Sequence, residues 1–428
     1  MPDLGPGLPQ ELLDHIIDDL RDDFATLKAC SLAFRSLITR SQIHLFATIC
    51  ISSIERCRCF RSVLNLNPTL SHHVRDLEII YLSSWVEGDT DLPYILQRAT
   101  ALRSFCVDSP IEPLIWWTIP KATVNALNCA FCLPTLVRLR LSSIEGFRAP
   151  FFGLDTNLQH LFLNDVLLAK TELEHDLRSI DLSKMTASTT EIVLKSTTIT
   201  HISLYSALIS QPRSVFSRSR KLIIHNSGIT LLLAASLTNA AMQLVETIEL
   251  KERPTASVAP SSWFLYDFTT LPRLQCLELH FTLGFIHEYY QFGIESSAAM
   301  RKILDFLTSN PSALRIRRFN MRFTPFRFFN SPTPSWKDMV EELECAIRKK
   351  CRTLDEILAT RAPSLLVGIE LGLPISGWRH PFFLGPVDEW YRDLEVKRDV
   401  WRKMIYGLMP LTSQAGGLTT DVIPDVEI

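Results

Sequence analysis

Two segments of the chain, residues 133–141 and residues 271–279, repeat one template, Leu-Pro-x-Leu-x-x-Leu-x-Leu. The alternating leucines at its end lie on one side of an extended strand. A strand with one apolar side cannot bury that side alone, so several such strands must stack on one another. Apolar triplets with the same spacing recur, and they begin at Val74, Leu102, Leu136, Leu158, Leu177, Ile199, Val245, Leu274, Ile316 and Leu366, with a weaker one centred on Leu222 and Ile224.

The intervals between triplets indicate a repeat more strongly than their number does. Apolar residues make up 46% of the chain, so the bare triplet is common by chance. From Leu136 to Ile199, however, the triplets follow one another after 22, 19 and 22 residues. This resembles leucine-rich repeats, whose period is roughly 20 to 29 residues. The resemblance covers roughly residues 74–372 and implies an α/β solenoid with parallel strands on its concave face. The alternative is an ordinary open α/β sheet, although a Gly-rich turn after the first strand is missing.

Side chains between the triplet positions are expected on the opposite, concave face of the sheet, because successive residues of a strand point to alternate faces. That face is mixed polar in the middle, acidic near Glu249 and Glu278, and basic near Arg318 and Arg322. Aromatic and arginine side chains contribute much of the energy of protein interfaces. The residues predicted to contact a target are Arg138, Arg140, His160, Phe162, His201, Tyr205, Glu249, Glu278, Arg318 and Arg322.

The first 46 residues predict three short helices. Apolar residues recur every four positions in the first of them, which is typical of a helix with one apolar face: Leu8, Leu12, Ile16 and Leu20. Asp22 or Asp23 can accept a backbone N–H at the start of the second helix. The third is expected over residues 35–46. Three such helices bury little surface alone, so their apolar residues must pack against the rest of the chain or a partner.

This segment resembles the F-box, the element by which a protein docks on the small adaptor subunit of a cullin-type ubiquitin ligase. The resemblance rests on Leu-Pro-x-Glu-Leu at residues 8–12 and Leu-x-x-Cys-x-Leu at residues 27–32. It implies that six apolar residues insert into the adaptor: Leu8, Pro9, Leu12, Ile16, Ile17 and Leu20. The chain departs from the family at residues 34–37, Phe-Arg-Ser-Leu, where Cys-Arg-x-Trp is frequent, so the module is F-box-like. The alternative is a helical cap on a larger domain.

Two amphipathic helices are predicted near the C-terminus. The first begins with Ser335-Trp336-Lys337-Asp338, which looks like a capping box, and the second covers about residues 387–408. They are expected to close the end of the repeats, and partner binding is the alternative role. The predicted organisation is therefore an F-box-like helical module (1–50), irregular leucine-rich repeats (51–372), a C-terminal helical cap (373–411) and a disordered tail (412–428).

Little in the sequence indicates bond chemistry. Cys129-Ala130-Phe131-Cys132 has no second close cysteine pair except Cys57-Arg58-Cys59, so no metal site is expected. No Gly-rich phosphate loop or nucleophile motif is present, and neither a catalytic residue nor a cofactor is predicted. The carboxylate pairs at residues 18–19 and 22–23 are interpreted as solvated caps. Ten irregularly spaced cysteines predict reduced thiols and a cytoplasmic or nuclear location.

Nucleic acid and membranes are not expected as partners, because the net charge is only −2. Arginines and phenylalanines do interleave over residues 315–329, as in single-strand RNA binders. Phe319, Met321 and Phe323, however, also alternate as buried strand residues would.

The leading functional hypothesis is a non-catalytic substrate-recognition subunit of a cullin-type ubiquitin ligase. The helices would dock on the adaptor subunit, and the concave face would bind an unknown target protein. The alternatives are a binding scaffold with no ligase role and an α/β enzyme whose site the sequence does not reveal.

Overall fold

A computed structural model describes residues 8–147, 157–168, 190–195, 198–199, 218–226, 244–252, 271–285, 300–308 apart from 302 and 306, 316–327, 336–362, 364–373 and 393–424. The chain divides into two compact units. Unit 1 comprises residues 1–192 and 197–217, and unit 2 comprises residues 193–196 and 218–428. All strand pairs described below are parallel, and the sheet is open, so the protein has an α/β fold.

Unit 1 begins with three helices and continues with strands and helices in alternation. The helices are α1 (Gln10–Asp19), α2 (Phe24–Ala33), α3 (Arg35–Leu45), α4 (Ile54–Leu66), α5 (Leu92–Arg98) and α6 (Lys121–Phe131). The strands are β1 (Thr48–Ile51), β2 (Asp76–Ile80), β3 (Ser104–Asp108), β4 (Leu114–Ile115), β5 (Arg138–Phe147), β6 (His160–Leu168), β7 (Glu191–Lys195), which lies at the division between the units, and β8 (Thr198–Ile199). The main strands lie side by side in the order β1-β2-β3-β5-β6, which is their order in the chain.

Unit 2 also contains parallel strands and helices, and its described strands are separated by longer stretches of sequence. Its elements are β9 (Lys221–Asn226), β10 (Thr247–Glu252), β11 (Cys276–Phe285), β12 (Arg318–Arg327), α7 (Trp336–Arg361), β13 (Leu366–Leu373), α8 (Leu394–Leu408), α9 (Pro410–Gln414) and β14 (Leu418–Pro424). The strands again lie in chain order, from β9 to β14. Neither unit therefore shows, among its described strands, the reversal of strand order that defines a doubly wound sheet.

The apolar triplets form the core of both units, as the sequence predicted. In seven of them all three members are buried, with at most 9% of any side chain exposed. These triplets begin at Val74, Leu102, Leu136, Leu158, Val245, Leu274 and Ile316. The weaker repeat is also confirmed, because Leu222 and Ile224 are buried on β9. The triplet predicted at Leu177 lies outside the described residues, as does most of the one predicted at Ile199.

A backbone hydrogen-bond pattern repeats from strand to strand. The carbonyl of the residue just before a strand accepts the N–H groups of two consecutive residues at the start of the next strand. Ala47 accepts from Arg75 and Asp76 at 2.8 and 2.9 Å in unit 1. In unit 2, Arg220 accepts from Glu246 and Thr247 at 2.8 and 3.0 Å. Carbonyls with the same role belong to Arg75, Arg103, Val137, Glu246 and Gln275. Each strand start is thus fixed in register by the preceding repeat.

The N-terminal helices form as predicted. Helix α1 contributes buried Ile17 and helix α2 contributes buried Leu27. Asp23 is the N-cap of α2, since its carboxylate accepts the Thr26 backbone N–H at 3.0 Å. The third helix, α3, ends one residue before the predicted Phe46.

The predicted disordered tail is wrong for residues 412–424. Helix α9 and strand β14 occupy this segment, and β14 pairs with β13 over residues 418–424. Thr412 is buried, and its backbone N–H and its hydroxyl both donate to Asp355, at 2.8 and 2.6 Å. Strand β14 was missed because its sequence shows little apolar alternation. Its stabilising contacts come from pairing with β13 and from Asp355, which accepts hydrogen bonds at the start of α9.

Other boundaries also differ from the predictions. Strand β1 was not predicted, and neither was β7. Leu366 was predicted as a buried repeat residue, but half of it is exposed, because it pairs with Arg318 on the outward side of β13. The last long helix is described from Leu394, and residues 374–392 lie outside the described part of the chain.

Candidate binding surfaces

Helix α1 and the segment just before it carry exposed apolar side chains. Leu12 and Ile16 lie four residues apart on one side of α1 and are 49% and 50% exposed. Leu8, two residues before the helix begins, is 57% exposed. Pro9 is exposed at the start of the helix, and Leu20 is half-buried just after its end. We call Leu8, Leu12 and Ile16 the α1 row. The positions are those that the sequence predicted for a partner contact, and the identity of the partner stays a prediction.

Ile17 was predicted to belong to the same contact, and this is wrong. Only 1% of its surface is exposed. Ile17 follows Ile16 by one residue, so its side chain is rotated by roughly 100° about the helix axis. This rotation turns Ile17 toward the other helices of the module. The sequence could not decide this point, because both residues are apolar and only the packing distinguishes the two sides.

Three further exposed apolar side chains of the module were not predicted. Phe24, Leu32 and Phe34 are 50%, 88% and 63% exposed. They lie on α2 or at its C-terminal end. Large exposed apolar residues concentrated in one small module are informative, because such concentrations mark interaction sites on soluble proteins.

Asp18 joins α1 to α3 and thereby fixes the direction of the α1 row. Its carboxylate accepts from Arg40 Nε at 2.6 Å and lies 2.7 Å from His44 Nε2. The hydrogen bond from Arg40, and next the one from His44, hold the pKa of the Asp18 carboxyl well below its usual range. The interpretation of Asp18 as a solvated cap is therefore wrong, although Asp23 does cap a helix.

The open face of unit 1 brings four of the predicted target residues together. We use "open face" for the side of the strands that carries the residues between the buried triplet positions. Arg138 pairs in register with His160, and Arg140 with Phe162, on neighbouring strands β5 and β6. Both arginines are exposed and both partners are half-buried. His160 Nδ1 also lies 3.3 Å from the Glu191 carboxylate.

The open face of unit 2 is built around two adjacent glutamates. Register places Glu249 of β10 directly beside Glu278 of β11, where two carboxylates alone would repel each other. His280 lies between them, with Nδ1 3.5 Å from Glu249 and Nε2 3.7 Å from Glu278. Lys251 and Lys221 approach Glu249 at 3.3 and 3.8 Å. We call these five residues the glutamate network.

Glu278 has further contacts that fix it in its charged form. Asn320 Nδ2 donates to it at 3.4 Å, and the Cys276 thiol approaches it at 3.5 Å. Its pKa is lowered to about 2, mainly by the side-chain contact with His280, which outweighs the opposing effect of burial. The acidic patch predicted near Glu249 and Glu278 is thus corrected, because Glu249 is buried beside two lysines and Glu278 contacts His280 and Asn320.

Two arginines of β12 complete this face. Arg322 donates twice to the Glu370 carboxylate, at 3.0 and 2.9 Å. Arg318 donates from Nε to Asn320 Oδ1 at 3.1 Å. Asn320 is packed against Gly368 of β13 so closely that a Cβ at Gly368 would lie 2.4 Å from its Oδ1. Glycine at this position therefore leaves room for the Asn320 amide that accepts from Arg318. Two other predicted target residues, His201 and Tyr205, lie outside the described residues.

Glu249, Glu278 and His280 are the described residues that could hold a metal ion, since their ligand atoms lie within 4.8 Å of one another. Metal ligation would require these atoms to converge on one point. Instead, the two nitrogens of His280 face different carboxylates, and two lysines already supply positive charge to Glu249. These side chains are thus paired with one another and are not directed at a single point.

Several cysteines lie in surroundings that keep the thiol protonated. Burial raises the pKa of Cys106, Cys276 and Cys351 to about 12, and it also raises the pKa of Cys57. A nucleophilic cysteine requires the thiolate, so these four are not activated for such chemistry at neutral pH. All ten cysteines of the chain are free thiols.

A comparison with protein-family models found no match for this chain. Comparisons with curated proteins and with solved structures found no match either. Among the described residues, no helix combines the length and the apolar character that crossing a membrane would require.

Proposed function

We propose that this protein is a substrate-recognition subunit of a cullin-type ubiquitin ligase, in which the N-terminal helices dock on the adaptor subunit and the open face of the repeats binds a target protein. The observation that carries the proposal is the α1 row. Its three large apolar side chains are each about half exposed, and burying one such side chain fully is worth roughly 1.5–3 kcal/mol. A partner that covers the row would gain about half of this free energy for each of the three side chains.

The contacts within the module support docking by a preformed surface. Asp18 fixes α1 to α3 through Arg40 and His44, and buried Ile17 anchors the inner side of α1. The α1 row is therefore presented by a packed module, which lowers the entropic cost of association.

The repeats support the second half of the proposal, that the open face of a leucine-rich-repeat solenoid binds a target protein. Strands follow one another in chain order within each unit. Since parallel crossovers are right-handed, such an order places successive connections on the same side of the sheet and leaves the other side free. The buried triplets and the repeated carbonyl pattern agree with this arrangement.

The mechanism that we propose is proximity. A target lysine held near the charged conjugating enzyme reacts at a raised effective concentration, as in other tethered systems. Within this mechanism the chain contributes two binding surfaces and no reacting group.

The test is co-elution of the purified chain with the ligase adaptor subunit on a sizing column. We expect the wild-type chain to co-elute and Ile16→Asp to abolish co-elution, because the substitution would bury a charge at the contact. The matched control is Leu66→Asp, which changes an equally apolar residue that is 88% exposed on α4 and should leave co-elution intact.

Ile17→Asp serves as a second control, because it places a charge in the core of the module and should unfold it. Loss of co-elution in Ile16→Asp therefore counts only if its far-ultraviolet circular dichroism equals that of wild type. A folded wild-type chain that never co-elutes with the adaptor would contradict the ligase role and favour a binding scaffold.

A further inference from the structure

Unit 2 carries a concentration of exposed arginines at the amino-terminal ends of its strands. Arg218 and Arg220 precede β9, Arg273 precedes β11, and Arg317 and Arg318 lie at the start of β12. All five are exposed. We call them the arginine row.

The repeat explains why these residues lie together. Arg220 and Arg317 occupy the same position of the repeat, the residue just before a strand. Arg218 and Arg273 also share one position, three residues before the first residue of their strands. Strands β9 to β12 are consecutive neighbours, and neighbouring strands are about 4.8 Å apart. The row therefore extends over roughly 14 Å.

The arginine row lacks carboxylate partners within the part of the chain that the structure describes. Arg218, Arg220, Arg273 and Arg317 form no ion pair there, and Arg318 donates only to the neutral amide of Asn320. The acidic residues of the same face are satisfied elsewhere: Glu249 by the two lysines and His280, and Glu278 by His280 and Asn320. Half-buried Glu246, just before β10, is an acidic residue that lies among the arginines of the row.

We infer that the arginine row binds an extended acidic peptide segment that crosses the starts of strands β9 to β12. An extended chain rises about 3.4 Å per residue, and its alternate side chains share one side. Anionic groups at every second position would thus be about 6.8 Å apart and could reach arginines at both ends of the row. Arginine binds carboxylate and phosphate with the same paired geometry, so aspartate, glutamate and phosphoserine offer the same chemistry.

A peptide fits this surface better than a nucleic acid does. Proteins that bind single strands stack bases on exposed aromatic rings. Phe319 and Phe323, which alternate with the arginines of β12, are completely buried. The described part of the row thus offers charge without a stacking ring.

This inference names the class of target for the proposed ligase subunit, and to that extent it rests on the proposed function.

The test of this inference uses the full chain without the adaptor. Fluorescence anisotropy would measure binding of a labelled twelve-residue peptide of alternating glutamate and alanine, of its phosphoserine counterpart, of a neutral glutamine counterpart, and of a twelve-residue thymidine oligonucleotide. We expect one or both acidic peptides to bind, more weakly as salt rises, and the neutral peptide not to bind. Binding by the glutamate peptide identifies carboxylates as sufficient, whereas binding by the phosphoserine peptide alone identifies phosphate as the required group.

Arg317→Gln/Arg318→Gln should weaken acidic-peptide binding roughly tenfold, because it removes two charge-assisted contacts. The matched control is Lys349→Gln/Arg352→Gln, which removes two exposed charges from α7 and should change binding less than about twofold. If the first variant fails to fold, Arg220→Gln/Arg273→Gln should give the same loss.

Three outcomes would overturn the inference: no binding of either acidic peptide, equal weakening by the control variant, or tighter arginine-dependent binding of the oligonucleotide. None of these outcomes affects the ligase proposal, since the arginine variants should still co-elute with the adaptor. Equally, a chain that binds the acidic peptide but never the adaptor would retain this inference and lose the ligase role.

Discussion

The two units use the same repeat backbone but cover it differently on the open face. In unit 1, outward residues Glu78, Cys106 and Arg140 pair in register on strands β2, β3 and β5, and none of them forms an ion pair among the described residues. In unit 2 the equivalent positions of β10 and β11 carry Glu249 and Glu278, which belong to a dense charge network.

The comparison shows which part of a repeat is constrained. Inward positions must be apolar in both units, because each strand buries that side against its connections. Outward positions carry no such requirement and can be loosely polar or tightly paired. The outward positions are therefore free to carry different binding chemistry in the two units.

The largest expected effect tests the similarity of the two cores. Phe105 of unit 1 and Phe319 of unit 2 hold the middle position of their triplets, and neither has measurable exposure. Replacing either by alanine should lower the free energy of unfolding by about 3–5 kcal/mol, because each leaves a large cavity. Urea titration followed by circular dichroism would measure this loss. A loss under about 1 kcal/mol for one of them would show that its unit packs less closely.

A smaller effect should separate the two open faces. Glu249→Gln would remove the carboxylate that Lys251, Lys221 and His280 approach, and we expect the free energy of unfolding to fall by roughly 1–3 kcal/mol. The matched change in unit 1, Glu78→Gln, should stay within about 0.5 kcal/mol, as most surface substitutions do. Equal losses in the same urea titration would contradict the difference that we describe.

The pH dependence of stability should sharpen the same contrast. Contact with His280 lowers the pKa of Glu278 to about 2 from the ordinary value of 4.5. A carboxyl group with a lowered pKa in the folded state stabilises the fold fully above 4.5, and this contribution is lost as the pH falls toward 2. Partial exposure to solvent limits it to roughly 1–2 kcal/mol.

Glu278→Gln should accordingly flatten the fall in thermal unfolding temperature between pH 4.5 and pH 2. Glu78→Gln is the control for this experiment as well. An unchanged pH profile in the Glu278 variant would mean that its contact with His280 contributes nothing to folding.

The last prediction concerns the reactivity of the thiols and involves no change in stability. Burial raises the pKa of Cys106 in unit 1 and of Cys276 in unit 2 to about 12. Both should react slowly with iodoacetamide at neutral pH, while exposed Cys59 and Cys129 react at the rate of free thiols. Peptide mapping by mass spectrometry would follow each site. Rapid labelling of Cys276 alone would indicate that the glutamate network opens more readily than the face of unit 1.

Much of the repeat was visible in the sequence. The spacing of Val74, Leu77 and Ile79 and of its counterparts predicted both the strands and their buried sides, because alternation and burial are local properties of an extended chain. Strand β14 was missed, since its place depends on β13 and on the cap from Asp355. The repeat boundaries were also less certain where the connections are long.

The sequence by itself determined the α/β alternation, the inward leucines and the apolar character of the first helix. Only the tertiary structure decided that Ile17 lies inside the module while Ile16 lies outside it. It alone decided that Glu249 and Glu278 are adjacent and compensated, and that the five arginines stand at one edge. Local patterns follow from the chemistry of neighbouring residues, whereas these juxtapositions depend on strand register between segments far apart in the chain.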